Sequence, residues 1–132
     1  MGTINGGYYS PRDIVGSKTT GGTAEENLDL SLNGAVAASN IPIGAGMWFL
    51  LKVLHVTSEG PARFRIDKSV DGGSTWFALH HWRQSQDGSS GVNEDQLVAI
   101  EGGALVRIRA RVQTPNAPAF VSMSLHGYIQ PV

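Results

Sequence analysis

The side chains with most capacity for chemistry are arginines and histidines at strand-like spacing. Arg107, Arg109 and Arg111 alternate with Ile108 and Ala110 and therefore share one face of a pleated strand, and Arg63 and Arg65 form a second such pair. Guanidinium forks so arranged suit bidentate pairing with carboxylates on a partner subunit; the plain alternative is a solvated outer face. Nucleic acid is not expected, because basic strands that bind it interleave stacking aromatics, whereas Ile108 and Ala110 alternate toward the opposite, inward face. His80 and His81 are adjacent on an expected strand and point to opposite faces, so both cannot reach one metal ion. Glu25-Glu26 and Glu94-Asp95 lie in or beside polar segments, with no His or Lys spaced to tune a general acid. Gly16-Ser17-Lys18-Thr19 lacks the order of a phosphate loop. No catalytic residue, metal or cofactor is expected.

Ser69-Val70-Asp71-Gly72-Gly73-Ser74-Thr75-Trp76 has a different use. Asp71 is placed to accept backbone N–H bonds inside a turn, Gly73 to take positive φ, and Trp76 to pack back beneath the hairpin. The string resembles the Asp box, S-x-D-x-G-x-T-W, with Ser69, Asp71, Gly73, Thr75 and Trp76 at its fixed positions. That box recurs in sialidases, but an enzyme of that kind also needs repeated boxes, an arginine triad from separate strands and a tyrosine nucleophile. The chain is therefore read as non-enzymatic.

The elements that must position these groups are strands. Leu28, Leu30 and Leu32 alternate with Asp29 and Ser31, and residues 47–57 are apolar on both faces, which suits a central strand or one at a subunit contact. Trp48 and Phe49 are interface candidates on that strand. Residues 62–70 and 76–79 form a hairpin around Asp71-Gly72-Gly73, 33–46 a loop, and 84–93 a polar loop. Residues 97–100, 104–112 and 121–129 complete seven or eight short strands. With no strand-and-helix alternation, the pattern predicts an all-β antiparallel sandwich, jelly-roll-like or immunoglobulin-like in order. Glycines at 2, 6, 7, 16, 21 and 22 with Pro11 leave residues 1–24 as an expected extended N-terminal arm, with Tyr8 and Tyr9 as its anchors, and 25–132 as the sandwich domain.

Composition sets the outer bounds. A chain of 132 residues buries one sizeable core. Ten Lys and Arg against eleven acids, net −1, predict neither nucleic acid nor an anionic membrane as partner. With no cysteine there is neither a disulfide framework nor a thiolate metal site. The longest apolar run, Met47 to Leu51, is far below the roughly 20 residues of a membrane helix.

The segment 44–129, with its hydrophobic strand after a Pro/Gly loop, its Asp71-centred hairpin, and the closing pair LVRIRARV and VSMSLHGYI, resembles the small β-sandwich proteins of bacteriophage virions, in particular the capsid-decorating or cement type. The resemblance implies a structural protein located in the virion and assembled in the host cytoplasm. It implies a homo-oligomer, a trimer in the usual case, held to the major capsid protein or another virion protein by inter-subunit contacts. The alternative is a carbohydrate-binding or host-adhesion module of a tail or head fibre, with Trp76, Trp82 or His80 beside Asp87 as a sugar platform. Exposure of Trp82 would favour that alternative and burial the assembly role.

Overall fold

The computed structural model describes residues 10–35 and 37–131, and all side chains among them except those of Ser10, Asp95 and Gln96. Ten strands form two antiparallel sheets: β1 (Ser10–Thr19), β2 (Glu26–Asn27), β3 (Leu30–Leu32), β4 (Ile41–Pro42), β5 (Met47–Ser58), β6 (Ala62–Ser69), β7 (Phe77–Gln84), β8 (Gly88–Glu101), β9 (Arg107–Gln113) and β10 (Phe120–Pro131). The first sheet runs β3-β1-β10-β5-β8; the second runs β2-β9-β6-β7, with β4 also paired to β9. No helix is long and apolar enough to cross a membrane among the described residues.

The pairing is nested. β6 pairs with β7, β5 with β8 and β4 with β9, as if one long antiparallel ribbon had been wrapped across two sheets. β10 then lies between β5 and β1. This is a jelly-roll β-sandwich. Period-two alternation supplies its interior: Phe49, Leu51, Leu54 and Val56 of β5 meet Phe64 and Ile66 of β6, Ile108, Ala110 and Val112 of β9, and Val121, Met123 and Leu125 of β10, all buried.

Three expectations change. The arm predicted over 1–24 is in its second half part of the sandwich: residues 10–19 are β1, paired along their whole length with β10 and in part with β3. Ile14 supplies an apolar anchor, and Gly16 fits because Leu28, Asp29 and Leu30 cross tightly over it, with Asp29 O only 2.8 Å from where a Cβ would sit. A glycine read as a breaker is there a close-approach residue. Tyr8 and Tyr9 lie outside the described residues.

The strand expected over 28–32 is shared between sheets, Glu26–Asn27 pairing with β9 and Leu30–Leu32 with β1, yet Leu28 and Leu30 are buried as alternation predicts. The polar loop expected over 84–93 shrinks to 85–87. From Gly88 the chain is already β8, an edge strand whose serines, glycine and asparagine pair with Thr57, Val56, His55 and Val53. Its polarity reflects an edge position with one face toward solvent, not a loop.

Candidate functional site

Three groups of residues compete for a functional role, and two of them are spent on holding the fold. At the β6–β7 turn, Asp71 Oδ1 accepts hydrogen bonds from the backbone N–H of Ser74 at 3.0 Å and Thr75 at 2.8 Å and from Ser69 Oγ at 2.8 Å. Gly72 and Gly73 take φ of 79° and 104°, and Trp76 Nε1 donates to Gly73 O at 2.9 Å. These donors, with the Thr75 amide foremost, hold the Asp71 carboxyl down to about 2. Its lone pairs face the turn, so it works as an anchor of backbone.

The arginine row is likewise occupied. Asp67, 1% exposed, sits between Arg65, whose Nε lies 2.8 Å from Oδ1 as a charge contact without hydrogen-bond alignment, and Arg109, whose Nε donates to Oδ2 at 2.9 Å. The Arg109 guanidinium also stacks over Trp76 at 4.4 Å. Arg111 reaches the Glu25 carboxylate at 3.7 Å and Glu25 O at 3.2 Å, and Arg107 donates to Asn40 Oδ1. The carboxylates that Arg109 and Arg111 meet within the structure thus come from the chain itself. Glu26 is drawn below the ordinary carboxyl range by Lys18, 2.7 Å away, helped by the Gly21 and Gly22 amides.

Of the strand candidates, Phe49 is a core residue at 1% exposure, which removes it from any interface: neighbours on a strand face opposite ways, and only Trp48, half-buried, faces outward. Trp82 is half-buried against the core, and its Nε1 donates to Ser90 Oγ at 2.9 Å. His80 lies beside it, ring centroids 6.4 Å apart, and is opposite buried Ile66, whereas His81 faces outward opposite Arg65. Trp82 is thus neither exposed nor fully buried and does not separate the two roles, and Trp76 of the expected sugar platform is stacked under Arg109. No group of three or more His, Asp or Glu suited to a metal exists among the described residues.

The third group was not singled out by its residue types. On the outer face of the first sheet, β5 carries an inserted residue that shifts both of its ladders: the β10–β5 register between His126 and Gly127, and the β5–β8 register between Leu51 and Val53, where residues 94–97 of β8 are also left unpaired. Lys52 is skipped in both ladders. A bulge re-aims a side chain and bends its strand. Here the result is a cleft of about 540 Å³ walled by Pro11, Lys52, Asn93, His126, Gly127 and Tyr128, with Val53 at its side. A smaller hollow of about 260 Å³, lined by His55, Gly91 and Val92, adjoins it through Val53 and Asn93.

Two glycines are obligatory there. A Cβ on Gly127 would stand 2.2 Å from Leu50 O, and one on Gly91 2.5 Å from Leu54 O. His126 Nδ1 hydrogen-bonds Asp13 Oδ1, which fixes the imidazole at the rim. The cleft therefore offers an ammonium, a carboxamide, an imidazole and a phenol ring around a concave floor. Its volume falls within the range of small-molecule sites, about 300–1,000 Å³.

No protein-family profile and no curated protein matches the sequence. Solved structures do match in shape. The likeness is one of fold. Eiger TNF from S. frugiperda superposes with a TM-score of 0.50 at 6% identity over 89% of this chain and 92% of that one. Murine APRIL gives 0.45 at 10% identity over 88% and 98%, and the cowpea mosaic virus top component 0.40 at 10% over 94% and 82%. Jelly rolls carry unrelated functions, so the function has to be argued from the cleft.

Sequence reasoning passed over Lys52, Asn93, His126 and Tyr128 because each is an ordinary residue in a polar-out strand. The available signal was Gly91 and Gly127, single glycines inside otherwise strand-like runs, where a bulge or a close backbone approach is the usual cause.

Proposed function

We propose that the protein is a non-enzymatic carbohydrate-binding or host-adhesion module that takes a sugar in the bulged cleft of its first sheet. The cleft itself carries the reading: the bulge at Lys52, which shifts both ladders of β5, and two glycines that admit no side chain maintain a hollow in a sheet face that would otherwise be flat. Its lining matches the chemistry of a saccharide. Asn93 and Lys52 supply hydroxyl-directed donors and an amide acceptor, His126 is oriented by Asp13, and the Tyr128 ring offers a surface for the C–H face of a pyranose. Bound at the tip of a fibre or on a particle surface, such a module would attach its carrier to a glycan-coated cell.

The test is binding of the full chain to immobilised neutral and acidic glycans, followed by titration of the best one into wild type, Asn93→Ala and Lys52→Ala. Loss of one polar contact predicts at least tenfold weaker binding in Lys52→Ala, since a hydrogen bond to a charged group is worth about 1.5–3 kcal/mol, and about two- to tenfold weaker in Asn93→Ala, where a neutral one is worth about 0.5–1.5 kcal/mol. Glycan binding that both variants retain would remove the cleft from the account.

A second reading, a virion assembly subunit, is favoured by the apolar strip on the same outer face. Val15 and Phe120 are 47% and 42% exposed and line one hollow, at the end of β10 away from half-buried Trp48. Covering that strip with a second copy would make the protein a homo-oligomer. Light scattering on the eluting full chain separates the readings: an oligomer that Val15→Ser with Phe120→Ser disperses supports assembly, and a monomer at tens of micromolar opposes it.

A further inference from the structure

Charge is distributed unevenly over this nearly neutral chain. Of its ten Lys and Arg, six (Arg63, Arg65, Arg83, Arg107, Arg109 and Arg111) lie on the outer face of the second sheet, where the carboxylates are Glu25 and Asp67. The remaining four cations share the rest of the molecule with nine carboxylates. Within the basic face the compensation is local. Asp67 serves Arg65 and Arg109, Glu25 serves Arg65 and Arg111, and Asn40 receives Arg107.

Arg63 and Arg83 are left over. They are exposed, they stand directly opposite each other in the β6–β7 register, and no carboxylate among the described residues pairs with either. Directly opposed side chains on one sheet face have Cβ atoms about 5 Å apart, and like charges so placed destabilise the pair. The next rows bring His81 opposite Arg65 and Gln113 opposite Arg63, and between them lies a cleft of about 200 Å³ that Arg63, Arg65, His81 and Gln113 line together with Glu25.

We propose that Arg63 and Arg83, flanked by His81 and Gln113, form an oxyanion site that takes a compact doubly charged group, a sulfate or phosphate, free or as the ester of a polymer. Two opposed guanidiniums offer forked donors to oxygens on either side of one tetrahedral anion, and the anion removes the repulsion between them. Arg65 completes the row beneath but is already engaged with Asp67 and Glu25, and the Glu25 carboxylate at the cleft wall repels an anion that enters too deeply. The group therefore sits at the outer rim, between Arg63 and Arg83. This surface is on the opposite side of the sandwich from the bulged cleft, so it stands independently of the saccharide reading.

The experiment is isothermal titration of the full chain with sodium sulfate, sodium phosphate and a heparin tetrasaccharide, at constant ionic strength made up with sodium chloride. Wild type, Arg63→Gln, Arg83→Gln and, as a charge control on β1 of the other sheet, Arg12→Gln are compared. Expected is saturable binding of sulfate and phosphate that falls at least tenfold in Arg63→Gln and in Arg83→Gln and is unchanged in Arg12→Gln. Tighter binding of the tetrasaccharide than of sulfate, lost in the same two variants, would identify a sulfated polymer as the source. Equal affinity in wild type and both variants, or no saturable binding of any of the three probes, would overturn the proposal. Both arginines are exposed and have no ion-pair partner among the described residues, so their glutamine variants should melt at or slightly above the wild-type temperature, which keeps a negative result interpretable.

Discussion

Replacing Asp67 by alanine should be among the most damaging single changes on the second sheet, although the residue touches no ligand in either reading. Its carboxylate is 1% exposed and lies between Arg65 and Arg109, each Nε within 2.9 Å of one of its oxygens. At an effective dielectric of about 20 and charge centres ~4 Å apart, each pair is worth about 4 kcal/mol before desolvation. Removing one partner of a buried pair strands the other, which costs about 3–5 kcal/mol. Arg65 and Arg109 are 26% and 16% exposed, so water reaches them once freed, which places the loss near the lower limit, about 3 kcal/mol. For a domain of this size that lowers Tm by about 10 °C. The assay is urea unfolding followed by tryptophan fluorescence, with a thermal melt beside it. Arg63→Gln is the internal contrast: it removes a charge from the same face and should gain a few tenths of a kcal/mol by relieving the opposition to Arg83, within the range of about 0.2–1 kcal/mol for cross-strand pairs. An Asp67→Ala protein within about 0.5 kcal/mol of wild type, the ordinary range for a surface substitution, would refute the claim that the arginine ladder is internally compensated.

Other substitutions test the remaining parts of the structure. Gly127→Ala would place a methyl 2.2 Å from Leu50 O, against the Leu50–Leu51 backbone, and should cost about 2 kcal/mol or more, read as a lowered urea midpoint. Phe49→Ala, in the core and not at an interface, should cost about 3–5 kcal/mol without changing any oligomeric state found by light scattering. The Asp71 carboxyl is held at about 2 in the fold against 3.8 unfolded, so its contribution is fully present above roughly pH 4 and disappears as pH falls through about 2. The stability difference between wild type and Asp71→Asn should therefore narrow over that interval and stay constant above it, as measured by unfolding midpoints at a series of pH values.

How much of this was legible in the sequence follows from which physical terms are local. Alternation in 104–112 and 121–129 placed Ile108, Ala110, Val112, Met123 and Leu125 inward, and the turn chemistry of Asp71 and Gly73 was readable because it is made within eight residues. The strand at 10–19 was not, because its glycine and proline content argues against a regular element, whereas its stability comes from β10, more than a hundred residues away. Polarity misled in the same way at 88–93, where the partner is β5. The arginine row was found, but not its partners: Glu25 and Asp67 reach it only through the β9–β6 register and the β2 crossing. The cleft was invisible for the deepest reason. It arises where Lys52 is left out of both ladders of β5 and 94–97 out of the β8 ladder, and which residues a strand leaves unpaired is decided by partners distant in sequence.

The central claim is that the bulged cleft is where a saccharide binds, and the most direct measurement is a backbone amide NMR titration with the strongest ligand from the glycan panel. The account predicts shifts concentrated at Lys52, Val53, Asn93, His126, Gly127 and Tyr128, with the second sheet unmoved. Shifts confined to β6, β7 and β9, or none at saturating glycan, would contradict it.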